Sequence, residues 1–103
     1  MDNEVFLHEF IFNKKSYTGS FRENSLDLTP VKFLILLNLL EHSNKPISAE
    51  SLFVSSCGGQ FYKGVERTIS VHIAHLRKKL NRADKHLGDA IKNIRNNGYV
   101  FSL

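Results

Sequence analysis

Arg67, Thr68, Arg77 and Lys78 lie within one short segment, Arg67 to Leu80, that also carries His72 and His75 one helical turn apart. Clustered guanidinium and ammonium groups attract phosphate and release its counterions, which is polyanion chemistry. The histidine pair is spaced to chelate a metal, but no third ligand follows at a suitable distance, so no metal is expected. Cys57 falls outside the segment, with neither a neighbouring cation nor evident exposure, and reads as a partly buried, inert thiol. No paired carboxylates and no Ser/His/Asp set stand in a catalytic context, and Gly58-Gly59 lacks the Lys-Ser/Thr of a phosphate loop. Neither an enzyme nor a cofactor site is expected.

The element that positions these groups is legible in the apolar residues between them. Ile69, Ile73, Leu76 and Leu80 recur at i, i+4, i+7 and i+11, one side of a helix turned toward a core. At about 100° per residue, Arg67, Val71, Ala74, His75, Lys78 and Arg82 then face the opposite way, with Arg77 and Lys79 on the flanks. That outward face is small, basic and free of acids, which suits a helix lying on DNA. Residues 1–60 hold five Lys/Arg against seven Asp/Glu, a net of −2, whereas residues 61–103 hold nine against three, a net of +6. The total of +4 is unremarkable for a soluble chain, so the information lies in this asymmetry.

With 103 residues and 42% hydrophobic composition, one folded domain with one core is expected over 1–103. A single cysteine makes no internal disulfide, the run Phe33 to Leu40 is too short for a membrane span, and no signal-peptide pattern opens the chain. A cytoplasmic chain making no membrane contact of its own is the expectation. Short apolar groups in residues 1–28 predict an N-terminal antiparallel sheet with tight turns. Thr29 as N-cap and Pro30 at N1 predict a first helix from about Pro30 to His42, ended by Asn44 and Pro46. Ser48 caps a second helix that buries Leu52 and Phe53 and stops at Gly58-Gly59. Gly58 to Glu66, with Phe61-Tyr62, reads as a loop, and Asn81 to Asp89 as polar and turn-like. Asn97-Gly98 between apolar segments predicts a closing β-hairpin, because both residues tolerate positive φ. Residues 1–28, 29–89 and 90–103 are thus sheet, helical core and hairpin. Three helices, the third basic, before a hairpin with Arg95 beside its turn describe an α+β winged helix-turn-helix.

Leu28-Thr29-Pro30 with Phe33 and Leu36-Leu37, Ser48 with Leu52, Arg67-Thr68 with Val71-His72-Ile73, Leu76-Arg77-Lys78-Lys79-Leu80, and Ile94-Arg95 with Gly98-Tyr99 together resemble the OmpR/PhoB-type DNA-binding effector domain over about residues 26–103. The resemblance implies a bacterial transcription regulator that binds promoter double-stranded DNA sequence-specifically, as a homodimer on tandem half-sites. The helix of about 67–80 would enter the major groove and Arg95 of the wing the minor groove. By position, Arg67, Thr68 and Arg77 match backbone-contacting residues, with Lys78 beside them on the basic face. Val71, Ala74 and His75 match base-facing positions, and Asn93 and Tyr99 lie near the wing's backbone contacts. The loop after the second helix is where such domains can meet RNA polymerase or a neighbouring protomer, and here it gains a residue around Gly64.

The chain also departs from the pattern. Lys32 stands where a Glu usually completes the first helix's N-terminal box, which implies a weaker cap, and Cys57 stands where the family's Trp would contact a phosphate. Ala74 and His75 occupy positions often held by Arg, removing a bidentate guanine contact, so methyl contacts, one hydrogen bond and DNA shape would read the site. No phosphorylatable receiver lies in these residues. The alternative is a winged-helix module whose basic face meets an acidic protein without specific DNA binding. RNA fits less well, because an exposed aromatic sheet face is not evident.

Overall fold

Alternation in the first 25 residues puts Phe10, Phe12 and Phe21 on one side of a sheet and leaves the other side exposed, with Phe6 and Ile11 among its residues. In the computed structural model, which describes residues 3–59 and 63–103, β1 (Glu4–Leu7), β2 (Phe10–Asn13), β3 (Thr18–Phe21) and β4 (Asn24–Ser25) form an antiparallel meander in that order. Phe10, Phe12 and Phe21 point inward and are buried. The pairings Leu7↔Phe10 and Phe21↔Asn24 leave two-residue turns, His8-Glu9 and Arg22-Glu23. All four turn residues have positive φ, a conformation ordinarily given to Asn and Gly. Arg22 bridges the two turns, its Nε and Nη2 donating to Glu9 Oε2 at 3.1 and 2.8 Å.

Pro30–Glu41 form α1, with the Thr29 side chain accepting from the Lys32 backbone N–H at 3.4 Å. The cap survives the missing acid, at the long end of a hydrogen bond. Ile35 and Leu39 are fully buried along with Phe33 and Leu36, so α1 is covered nearly all round and forms the middle of the molecule. Phe12 meets Phe33 edge-on with centroids 5.6 Å apart, joining the sheet to this helix. Asn44 turns left-handed with φ 67° as its position past the helix requires. The second helix, α2 (Ala49–Cys57), starts on Ser48, whose hydroxyl accepts from Ser51 N–H, and ends at Gly58.

The basic helix α3 (Val65–Ala83) is longer at both ends than the expected 67–80. Val65 extends the buried stripe one turn upstream, and at the far end Asn24 donates to the Ala83 carbonyl at 3.0 Å. That contact comes from the sheet, so sequence periodicity could not register it. Residues expected as turn therefore complete the helix and a 3₁₀ turn, Leu87–Ala90. Of the expected loop, Gly64 is the α3 N-cap with φ 103°, while Phe61-Tyr62 lie outside the described residues.

The wing, β5 (Ile91–Ile94) and β6 (Gly98–Phe101), starts one residue after the expected boundary because Ala90 closes the 3₁₀ turn. Its connection is three residues rather than the two of an Asn-Gly turn. Positive φ falls on Asn96 and Gly98, and Asn97 N–H closes the turn on the Ile94 carbonyl at 2.9 Å. A bridge joins the wing to the α1–α2 linker: Ile47 N–H donates to Tyr99 O at 2.7 Å and Tyr99 N–H returns to Ile47 O at 2.9 Å. This approach is so close that a Cβ at Gly98 would lie 2.0 Å from the Ile47 carbonyl oxygen.

Gly98→Ala is therefore expected to cost about 2 kcal/mol or more, read by chemical denaturation. Gly58→Ala, also at positive φ but with nothing within 4 Å of a new Cβ, should cost only about 1 kcal/mol.

Candidate nucleic-acid interface

α3 divides its circumference by exposure as its spacing dictates. Val65, Ile69, Ile73, Leu76 and Leu80 are buried. Arg67, Val71, Ala74, His75 and Lys78 are exposed, Val71 at 48%, and Thr68 is half-buried. Arg67, His75 and Lys78 make no side-chain hydrogen bond or ion pair among the described residues. The structure thus brings together on one face all the residues expected there from the helix. Arg67 and Lys78, with no ion pair among the described residues, can neutralise phosphates at the edges of this face, and His75 and two small apolar side chains can touch base edges at its centre.

Arg77 is placed differently. Its side chain is half-buried on the flank, and its Nε and Nη2 donate to the Ile91 carbonyl at 3.0 and 2.8 Å. The guanidinium fork thereby fastens the first residue of the wing to α3. Directly behind it, a Cβ on Gly88 would come within 2.4 Å of the Arg77 carbonyl oxygen, so the 3₁₀ turn lies against the helix backbone. Lys79, on the other flank, reaches the Asp27 carbonyl, with Asp27 Oδ2 3.9 Å away.

On the wing, Arg95 is exposed at the turn and makes no side-chain hydrogen bond or ion pair among the described residues. Asn93 is exposed, whereas its cross-strand partner Tyr99 is 8% exposed and held in the bridge to Ile47. Between the wing and the N-terminal ends of α2 and α3 runs an open groove of about 610 Å³. Glu50 and Glu66 line it from the helices, and Asn93, Asn96 and Asn97 from the wing. The wing turn therefore flanks the start of α3, and Arg95 stands at the edge of the same surface.

Two residues acquire a relation that sequence reasoning missed. Lys32, 8% exposed, turns its ammonium toward α3 and stands 3.2 Å from Nδ1 of His72. Forty positions separate them in the chain, and no local pattern links them. Burial lowers the His72 pKa from its ordinary 6.5, and the charge of Lys32 and the neighbouring His75 lower it further. Among the described residues, no three His, Cys, Asp or Glu side chains gather into a metal site, and no helix is long and apolar enough to cross a membrane.

The family described as "Transcriptional regulatory protein, C terminal" matches residues 23–101. The chain belongs to this family, the OmpR/PhoB-type C-terminal DNA-binding domains. The regulatory protein VanR of Enterococcus faecium is 35% identical over 81 residues, covering 78% of this chain and 35% of VanR. The alkaline phosphatase synthesis transcriptional regulatory protein PhoP of Bacillus subtilis is 32% identical over 100 residues, 96% of this chain and 40% of PhoP. The chain thus spans little more than a third of the length of these relatives. Among solved structures, the DNA-binding domain of CpxR from E. coli superposes with a TM-score of 0.80 at 25% identity, covering 96% of this chain and 95% of that one. The Klebsiella pneumoniae RstA DNA-binding domain, solved in complex with the RstA box, gives 0.76 at 25% identity and 96% coverage of both chains. The fold is the winged helix of these response-regulator domains.

Two tests follow from the contacts of α3. Arg77→Met leaves the Ile91 carbonyl without its donors and is expected to cost about 1–3 kcal/mol, with faster amide exchange in β5. For His72, the unfolded chain binds a proton between the ordinary value and the lower folded one while the folded chain does not, so stability falls as pH drops through that window. In urea denaturation from about pH 7.5 to 5, His72→Gln should flatten this loss. Equal slopes in the two proteins would refute it.

Proposed function

We propose that this chain is the sequence-specific, double-stranded DNA-binding part of a bacterial transcription regulator. The observation that carries the reading is α3 itself, one flank buried and the other an acid-free row of Arg67, His75 and Lys78 with no hydrogen-bond or ion-pair partner among the described residues. A helix about 10–12 Å across fills a major groove about 12 Å wide. Family membership and the RstA domain's complex with the RstA box support DNA as the partner.

In this reading α3 enters the major groove with Arg67, Thr68 and Lys78 on phosphates and Val71, Ala74 and His75 on base edges. Arg95 enters the adjacent minor groove, where a guanidinium is drawn to the potential of A·T-rich sequence. Asn93 reaches a phosphate from the wing, and Tyr99 acts mainly by holding the wing to the linker. Arg77 has a divided role, because its fork fastens Ile91 and only Nη1 is left for a phosphate. With Ala74 and His75 at the base-facing positions, no Arg from the helix centre grips guanine, so site selection leans on thymine methyls and groove shape. The domain works without catalysis or cofactor, in the cytoplasm where promoters lie. It binds tandem half-sites as a homodimer, with the α2–α3 connection available to RNA polymerase.

Selection from a random duplex pool, followed by fluorescence anisotropy across salt concentrations, tests this. Arg67→Ala and Lys78→Ala should each reduce the log–log salt slope by about 0.9 and weaken all duplexes alike. Arg95→Ala should weaken A·T-flanked sites selectively, and His75→Ala should cost about 1–3 kcal/mol at one base-pair position with the slope unchanged. No enriched sequence, or an Arg67/Lys78 double Ala variant that binds like wild type, would overturn the assignment in favour of a protein-binding module.

A further inference from the structure

Lys32 is a buried cation without a counter-charge. Its side chain is 8% exposed, its only polar side-chain contact among the described residues is the His72 ring, and the first turn of α1 carries no acid. Asp27, the acid nearest to Lys32 in the chain, faces Lys79 instead. An ammonium turned toward a neutral ring meets no counter-charge there, which leaves the place of an anion open beside it. His72 lies on the strip of α3 between the core stripe and the outward face, in line with Thr68 and His75 at i−4 and i+3, two residues already assigned to DNA. An anion approaching that strip from the DNA side would be a backbone phosphate.

We propose that Lys32 and His72 form a dyad that receives one phosphate of the bound duplex, a contact outside the set inferred from the helix face. The inference rests on the DNA-binding reading above. An ammonium only donates, so Nδ1 of His72 must accept from it, and the neutral ring then carries its proton on Nε2. Lys32 is in this sense a positioning residue as well as a charge: it selects the tautomer whose N–H is left to donate to a phosphate oxygen. The groups around His72 are Lys32 from α1, and His75 and, one turn beyond, Lys79 from α3, the last offset by Asp27. Lys32 and His75 oppose protonation in the free protein. A phosphate beside Nε2 reverses that balance, so duplex binding takes up a proton and affinity rises as pH falls. Protonation gives up the Lys32 hydrogen bond, a loss that a phosphate offsets and a purely structural contact does not, so without the phosphate lower pH only loosens the helix.

The test measures binding of the full chain to a fluorescein-labelled random-sequence duplex by anisotropy, at several salt concentrations, from about pH 7.5 to 5.5. Wild-type affinity is expected to rise about threefold or more as pH falls, for a proton affinity raised about tenfold by the phosphate. His72→Gln should remove this rise, Lys32→Met should reduce the salt slope by about 0.9, and Lys32→Arg should restore that slope. Should Lys32→Met fail to fold, the His72 titration of the wild-type protein by NMR decides, with its pKa moving up when the duplex is added. The proposal is overturned if affinity falls with pH, if Lys32→Met keeps the wild-type slope while Arg67→Ala lowers it, or if the His72 titration is unmoved by duplex. Absence of binding to any duplex would overturn this proposal together with the function on which it rests.

Discussion

The position of the wing relative to α3 depends on two short backbone attachments. A two-stranded hairpin is marginal on its own in water, so β5 and β6 need the rest of the molecule to define where they sit. β6 is held by the reciprocal hydrogen bonds between Ile47 and Tyr99, which require Gly98 because no side chain fits against the Ile47 carbonyl. β5 is held by Arg77 on the Ile91 carbonyl. Between them these contacts tie the wing to the α1–α2 linker and to α3, and so place Arg95 at the edge of the face that α3 presents.

Behind that face, the core acts as a mould. The sheet presses Phe10, Phe12 and Phe21 onto α1 and β6 through edge-on and tilted ring contacts, and α1 is buried nearly all round. α3 lies against this mass by its Ile69, Ile73, Leu76 and Leu80 stripe and cannot rotate without exposing it. Arg67 and Lys78, opposite the stripe, thus face outward with no ion-pair partner among the described residues. Arg22 adds a clasp at the rim, joining two sheet turns and reaching Asp84 just past the end of α3 at 3.5 Å.

The site divides by the same logic into groups that face outward by helix geometry and groups placed by tertiary contact. Arg67, Val71, Ala74, His75 and Lys78 belong to the first kind, and their exposure follows from spacing. Arg77, Tyr99, Lys32 and His72 belong to the second. For Arg77 the long flexible side chain could have reached outward as readily as sideways, and an unpaired carbonyl at Ile91 decided the matter. For Lys32, substitution of the usual acid suggested a poorer cap, whereas the larger effect is the ammonium it places beside an imidazole from another helix.

The sequence by itself determined the α+β class, the order sheet, three helices and hairpin, the caps at Thr29 and Ser48, and the two-faced character of α3, because each follows from local periodicity or from a side chain bonding its own backbone. It did not determine the turns at His8-Glu9 and Arg22-Glu23, which lack the usual turn residues and are braced across the sheet by the Arg22–Glu9 pair. The last turn of α3, the seat of the wing and the pairing of Lys32 with His72 were likewise decided only by tertiary structure. Each joins residues distant in the chain, where the free energy lies in a contact between elements and leaves no mark on the pattern of either one.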